Sequence, residues 1–277
     1  MHRRESHSQL AIPARVIGGD PIAARADGLV LAYGTRPALV GATFDLPAGA
    51  SVALIGPNGS GKSTLLRALA GLVAPRAGAL DVPALGRRGA VALVLQTTDV
   101  DRTLPITVRE TVTMARYATR GAFGRLRAGD HAAVRDALDR LDVAGLADRQ
   151  RHELSGGQRQ RVLVAQGLAQ QAEILLLDEP VTGLDVVSRR LILEAVDAET
   201  AAGRTVVVST HDLDDARRAD FVLLLANRVV ASGPPDGVLV EGRLSAAYGG
   251  RVLRLPDGLV LVDDPHHATH THSPVIG

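Results

Sequence analysis

Residues 51–63 read Ser51-Val52-Ala53-Leu54-Ile55-Gly56-Pro57-Asn58-Gly59-Ser60-Gly61-Lys62-Ser63, an apolar run that breaks into a glycine-rich turn and leads into a second apolar stretch over 63–70. The first run suits a buried strand and the last a helix. The turn fits G-x-x-x-x-G-K-[ST] and lies between strand and helix, the context that gives this motif meaning. Its glycines let successive backbone N–H groups converge on an anion, and the positive end of the helix lies beside them. Gly56, Pro57, Asn58, Gly59, Ser60 and Gly61 are therefore expected to form a phosphate cradle. Lys62 is placed to reach β- and γ-phosphates, and Ser63, with Thr64 beside it, offers a hydroxyl to Mg²⁺.

Composition sharpens the reading of that lysine. The chain has 277 residues with 31 basic against 30 acidic side chains, and Lys62 is the one lysine among 30 arginines. The planar fork of Arg does not fit a backbone nest as a compact ammonium does, so Lys62 has a task that Arg would perform badly. A net charge of +1, with Arg scattered along the chain, gives no field for gripping nucleic acid and argues against such a partner. At ~150 residues per domain the length allows one or two domains. The absence of Cys removes disulfides, thiolate metal sites and Cys nucleophiles. Apolar runs such as 174–177 and 221–226 fall far short of the ~20 residues of a spanning helix and read as buried strands. Residues 1–26 carry Arg3 and Arg4 but no continuous apolar segment, so they read as a disordered leader rather than a signal peptide.

Upstream of the loop, 29–31 and 43–46 are short strand candidates separated by Gly34, Pro37 and Gly41. Downstream, strand 90–95 precedes helical stretches near 108–118 and 131–141, and then strands 174–177, 205–209 and 221–225 alternate with helices after Gly157 and over 187–200. This alternation implies a parallel α/β core carrying a helical insertion, with strands buried on both faces. Beyond Gly233 the pattern changes: 252–255, Pro256-Asp257-Gly258 and 259–262 read as a hairpin.

Ile174-Leu175-Leu176-Leu177-Asp178-Glu179 is an apolar strand ending in adjacent carboxylates. Alone it reads equally as a solvated turn. Beside a phosphate loop it places Asp178 and Glu179 at the carboxyl edge of the sheet, where ligands of open α/β sheets bind. Asp178 suits a Mg²⁺ shell, and Glu179 suits orienting or deprotonating a water that attacks the γ-phosphate. A third segment, Leu154-Ser155-Gly156-Gly157-Gln158, puts Ser155, Gly156 and Gly157 at the start of a helix as a second phosphate-binding nest.

With these three segments the chain resembles the ATP-binding cassette (ABC) ATPases over about residues 27–240. The resemblance implies a P-loop NTPase core with a parallel sheet, a small N-terminal antiparallel β subdomain and an α-helical insertion, here about 97–167. It leaves outside a C-terminal appendage over 241–264, which carries the hairpin pattern, and a His-rich disordered tail over 265–277. Two copies would pack head to tail, the phosphate loop of one and Ser155, Gly156, Gly157 and Gln158 of the other enclosing each ATP. The remaining positions follow by matching. Tyr33 stands where the family stacks an aromatic on adenine, although core packing is its other reading. Gln96 matches the glutamine that contacts Mg²⁺ or lytic water, Asp185 in Gly183-Leu184-Asp185 the loop that communicates across the dimer, and His211 the histidine that touches the γ-phosphate. Val181 departs from the family, which commonly carries a hydroxyl or aromatic after the proline.

The resemblance also implies ATP and Mg²⁺ as cofactors, ATP hydrolysis, a separate integral membrane permease, an extracytoplasmic solute-binding protein and a place at the cytoplasmic face of the membrane. The run Thr103-Leu104-Pro105-Ile106-Thr107-Val108-Arg109-Glu110 and then Met114-Ala115-Arg116-Tyr117 is similar to importers of the manganese and zinc branch; siderophore importers are similar too. A soluble cassette ATPase remains the other class, although no long coiled-coil insert or second cassette is present. His266, His267, His270 and His272 place four of the nine His within seven residues, which reads either as a Zn²⁺ site or as a solvated polar tail.

Overall fold

The computed structural model describes residues 16–17, 20–96, 105–249, 252–254 and 260–262. In chain order the elements are β1 (Val16–Ile17), β2 (Asp20–Tyr33), β3 (Arg36–Pro47), β4 (Ser51–Ile55), α1 (Lys62–Leu69), β5 (Ala77–Asp81), β6 (Val91–Val94), α2 (Val108–Met114), α3 (Tyr117–Arg120), α4 (Ala128–Arg140) and α5 (Gly156–Gln170). They continue with β7 (Ile174–Asp178), α6 (Val186–Ala201), β8 (Thr205–Thr210), α7 (Leu213–Arg217), β9 (Phe221–Leu225), β10 (Val229–Gly233), α8 (Pro235–Val238), α9 (Glu241–Tyr248), β11 (Val252–Arg254) and β12 (Val260–Val262).

A six-stranded sheet in the order β10-β9-β4-β8-β7-β6 forms the centre, parallel except for β10. Its strands read as unbroken apolar runs because both faces are covered. Leu54, Leu176, Val207 and Leu223 point to one face, where they pack with Leu65, Leu66 and Leu69 of α1 and with Leu29, Leu31 and Leu39 of the antiparallel strands β2 and β3. Leu175, Leu177 and Val206 point to the other, against Val162, Ala165 and Leu168 of α5 and Ile192 of α6. Farther along that face Ala53, Ile55, Val222 and Leu224 meet Leu213, Ala216, Val238 and Leu244 of the last helices. Burying each Leu, Ile or Val contributes about 1.5–3 kcal/mol, and a one-residue slip would exchange the side chains packed on the two faces.

Helices α2, α3 and α4 lie between β6 and α5, and each starts or ends on a recognisable device. Thr107 caps α2: its hydroxyl accepts from the Glu110 N–H at 3.2 Å, and Glu110 Oε2 accepts from the Thr107 N–H at 2.8 Å. Arg116 and Arg120 both bond the fully buried Asp130 of α4, and Arg116 also donates to the carbonyls of Ala169 and Gln170 at the end of α5. Arg140 of α4 reaches Glu199 of α6 at 2.6 Å, tying this helical layer to the sheet domain.

Two expected boundaries are corrected. Residues 20–26, read as part of a leader, belong to β2, and Ala23, Ala24 and Ala26 are buried; small alanines carry too weak a strand signal to show this in sequence. The domain also does not stop at 240, because Leu244 and Ala247 of α9 complete the third core cluster. β11 and β12 pair antiparallel, Val252 opposite Val262, with the intervening residues 255–259 outside those described.

Candidate nucleotide site

The parallel register gathers the chemistry at one edge. Ile55 lies opposite Thr210, Asp178 opposite Ser209, and Val94 opposite Leu177. The next residues of each strand, Gly56, Glu179, His211 and, two beyond Val94, Gln96, therefore emerge side by side at the carboxyl ends of the strands, the ligand-binding edge of an open α/β sheet.

The phosphate loop is wound tightly against its neighbours. A Cβ on Gly56 would lie 2.1 Å from the Leu225 carbonyl oxygen, so only glycine fits there. Gly61 forms the N-cap of α1 and makes no side-chain cap, which leaves the first-turn N–H groups to an anion. Among the described residues the buried Ser60 hydroxyl has no hydrogen-bond partner, which suits a polar group bound in the loop. Lys62 is only 5% exposed, and its Nζ donates to the carbonyls of Gly56 at 2.7 Å and Pro57 at 3.2 Å. The ammonium thus lies folded over the loop, on a stem long enough to turn toward a phosphate.

Ser63 Oγ donates to Asp178 Oδ1 at 3.0 Å, and Ser209 Oγ donates to the same oxygen at 2.7 Å. Hydroxyl and carboxylate together make an oxygen-only donor set, the kind that suits Mg²⁺. Ser209 was not singled out by sequence, yet it also accepts from the Glu179 N–H at 2.8 Å. The signal was present as a hydroxyl pair, Ser209-Thr210, that follows three valines at the end of the strand. Glu179 sits at φ 46, a left-handed backbone that non-glycine residues seldom occupy. Its Oε2 accepts from Thr182 at 3.3 Å and lies 3.9 Å from Nδ1 of the half-exposed His211.

Residues around His211 hold it from both sides. The Thr210 hydroxyl accepts from the Asp212 N–H at 3.0 Å, and Arg189 of α6 donates to Asp212 at 3.1 Å and to Asp215 at 2.6 Å. Burial opposes the Asp212 charge, yet the N–H groups of Asp214 and Asp215 and the Arg189 guanidinium hold its carboxyl below the usual range, whereas burial pushes Asp215 up.

Ser155, Gly156, Gly157 and Gln158 form a second cluster, at the start of α5. Ser155 Oγ accepts from the Gln158 N–H at 3.3 Å and Gln158 Oε1 from the Ser155 N–H at 3.0 Å, a complete capping box. Both side chains are engaged, and Ser155 and Gly156 are exposed. Asp185 belongs with this cluster: it caps α6 through Ser188, whose N–H holds its carboxyl low, and a Cβ on Gly157 would fall 2.7 Å from Asp185 Oδ2.

Gln96 is exposed at the mouth of a cleft of about 450 Å³ lined by Leu93, Leu95, Leu163 and Gln166. Tyr33 ends β2 opposite Arg36, its side chain outside the description, and His266, His267, His270 and His272 lie outside the described residues, as does 97–104.

The comparisons agree with this geometry. The family model for ABC transporters matches residues 39–182. The manganese transport system ATP-binding protein MntB of Listeria monocytogenes is 38% identical over 226 residues, 80% of this chain and 94% of that protein. The zinc transport system ATP-binding protein TroB of Treponema pallidum is 38% identical over 240 residues, 85% and 90% respectively. A solved structure of an inward-facing ABC transporter superposes with a TM-score of 0.73 at 27% identity, covering 86% of this chain and 96% of that one. An edge of strands that presents a phosphate loop, Asp178-Glu179 and His211, with a second glycine nest on its own helix, has its explanation in these relatives: the chain belongs to the ABC transporter family, as an ATP-binding subunit that hydrolyses ATP.

Proposed function

We propose that the chain drives the import of a divalent metal ion, manganese or zinc, by hydrolysing ATP against a separate membrane permease. The observation that carries the hydrolytic part is the bridge at Asp178, whose Oδ1 accepts from both Ser63 and Ser209 while Ser209 also receives the Glu179 N–H. The names of the relatives supply the cargo.

In this reading ATP enters with its β- and γ-phosphates on the N–H groups of residues 58–63 and adenine against Tyr33. Lys62 leaves the carbonyls of Gly56 and Pro57 for the phosphate oxygens. Ser63 and Asp178, with Gln96 from the neighbouring strand end, would hold Mg²⁺, which when bound neutralises charge developing on the transferred phosphoryl group. Glu179, fixed by its backbone to Ser209, orients the attacking water and accepts its proton as the water oxygen bonds to the γ-phosphorus and the bond to the ADP oxygen breaks. His211, beside Glu179 on the neighbouring strand, contacts the γ-phosphate.

The exposed nest of Ser155, Gly156, Gly157 and Gln158 completes the ATP site of a second copy, and that copy returns the favour by two-fold symmetry. Asp185, against Gly157, senses the same interface. Closure of the dimer on ATP and its release after hydrolysis would work the permease, whose cytosolic helix docks in the cleft beside Gln96. Among the described residues no helix is long and apolar enough to cross a membrane, so the subunit sits at the cytoplasmic face through that permease, in a system with an extracytoplasmic solute-binding protein. The test is to purify the chain with its membrane partner, reconstitute it in vesicles, and measure ATP-dependent uptake of ⁵⁴Mn²⁺ and ⁶⁵Zn²⁺ against a ⁵⁵Fe-siderophore. Metal uptake abolished by Glu179→Gln supports the assignment; uptake of the iron chelate alone would replace the cargo.

A further inference from the structure

Asn227 lies in the turn between β9 and β10, far in sequence from the phosphate loop and absent from every motif. Its backbone is left-handed, φ 53, a region Asn enters at low cost and which glycine would fill as well. Turn geometry alone therefore does not require the side chain. That side chain is committed elsewhere: Nδ2 donates to the Gly59 carbonyl at 2.8 Å and to the Ala38 carbonyl at 3.1 Å. The Asn227 N–H donates to the Ser60 carbonyl at 3.0 Å, and its carbonyl accepts from the Val40 N–H at 2.8 Å. One residue thus holds the crest of the phosphate loop and strand β3 at once.

The consequence for the loop follows from peptide geometry. A trans peptide sets its C=O and N–H on opposite sides, so fixing the carbonyls of Gly59 and Ser60 on Asn227 turns the N–H groups of Ser60 and Gly61 away from it, the first onto the Pro57 carbonyl at 3.1 Å within the loop and the second toward the start of α1. The same bonds keep two carbonyl oxygens from turning inward, where they would repel a phosphate. We propose that Asn227 is a positioning residue for ATP, acting through the loop: it preorganises the nest and locks it to the antiparallel subdomain that carries Tyr33. The inference rests on residues 56–63 being the ATP site.

The full-length chain tests it by isothermal titration with Mg·ATP, by steady-state hydrolysis and by thermal unfolding of the nucleotide-free protein. Asn227→Gly keeps the left-handed turn and both backbone bonds and removes only the two amide donors. It should weaken ATP about tenfold and raise KM by a similar factor, with kcat within about twofold, while the unfolding midpoint falls modestly because the two lost hydrogen bonds are already made without nucleotide. Asn227→Asp retains size and shape but places a carboxylate oxygen against the Gly59 carbonyl, and should bind more weakly still. Wild-type affinity in Asn227→Gly would overturn the inference, as would a fall in kcat as large as the loss of affinity. Failure of the unmodified chain to bind ATP, or unaltered binding in Lys62→Ala, would instead remove the site reading beneath it.

Discussion

The chain builds two glycine nests at helix N-termini and treats them differently. Before α1, Gly61 leaves the helix start uncapped, Ser60 and Lys62 are buried, and the loop is pressed against Leu225 and held by Asn227. Before α5, Ser155 and Gln158 cap each other, and the nest faces solvent. The first is already shaped inside one subunit; in the proposed dimer the second would meet a nucleotide held by another subunit. Damage to the first should therefore cost hydrolysis through the chain's own site, and damage to the second should cost hydrolysis while the single chain still binds ATP.

The largest effect should come from the carboxylate that serves the first nest. Glu179→Gln should lower kcat by about 10²–10⁴-fold, the usual worth of a general base, while an ATP-bound dimer persists on size-exclusion chromatography. Unchanged hydrolysis would withdraw Glu179 from its role. Lys62→Arg conserves charge and should still cost about 10²-fold in hydrolysis, since the fork cannot fold into a nest shaped for an ammonium. Exchanging Arg190 for Lys on the exposed face of α6 should leave both activity and stability within about 0.5 kcal/mol of wild type, the control that makes the lysine special rather than the charge.

The second nest gives the complementary pattern. Gly157→Val drives a side chain toward Asp185 and Ser188, and hydrolysis should fall by at least an order of magnitude while calorimetric ATP affinity of the single chain is retained. Parallel losses in both would erase the division between the nests. Ser155→Ala, which removes only the cap acceptor, should cost about 1 kcal/mol of stability with a smaller effect on turnover, read by chemical unfolding.

Sequence carried most of the first nest and little of its support. The motif over residues 56–63, the apolar strand into Asp178-Glu179 and the Leu154–Gln158 segment are local patterns, so spacing alone reveals them. Ser209, Arg189 and Asn227 act across the fold, joined to the site by strand register and by turns whose side-chain bonds depend on which strands are neighbours. Nothing in Ala226-Asn227-Arg228 marks it as more than a hairpin turn until β9 is seen beside β4. The early part of β2 escaped for a different reason: Ala23, Ala24 and Ala26 are buried by strand pairing rather than by bulk. The last helix was missed because its packing residues, Leu244 and Ala247, give only two points of a helical period.

The central claim is that a working ATP site takes residues 56–63 from one copy and residues 154–158 from another. Lys62→Ala disables the first segment and Ser155→Arg blocks the second, so each variant alone should be inactive. Mixed in equal amounts, half of the dimers would pair one intact loop with one intact nest, and hydrolysis should return to about one quarter of the wild-type rate by symmetry. A mixture as inactive as its components, or full activity in either variant alone, would contradict the account.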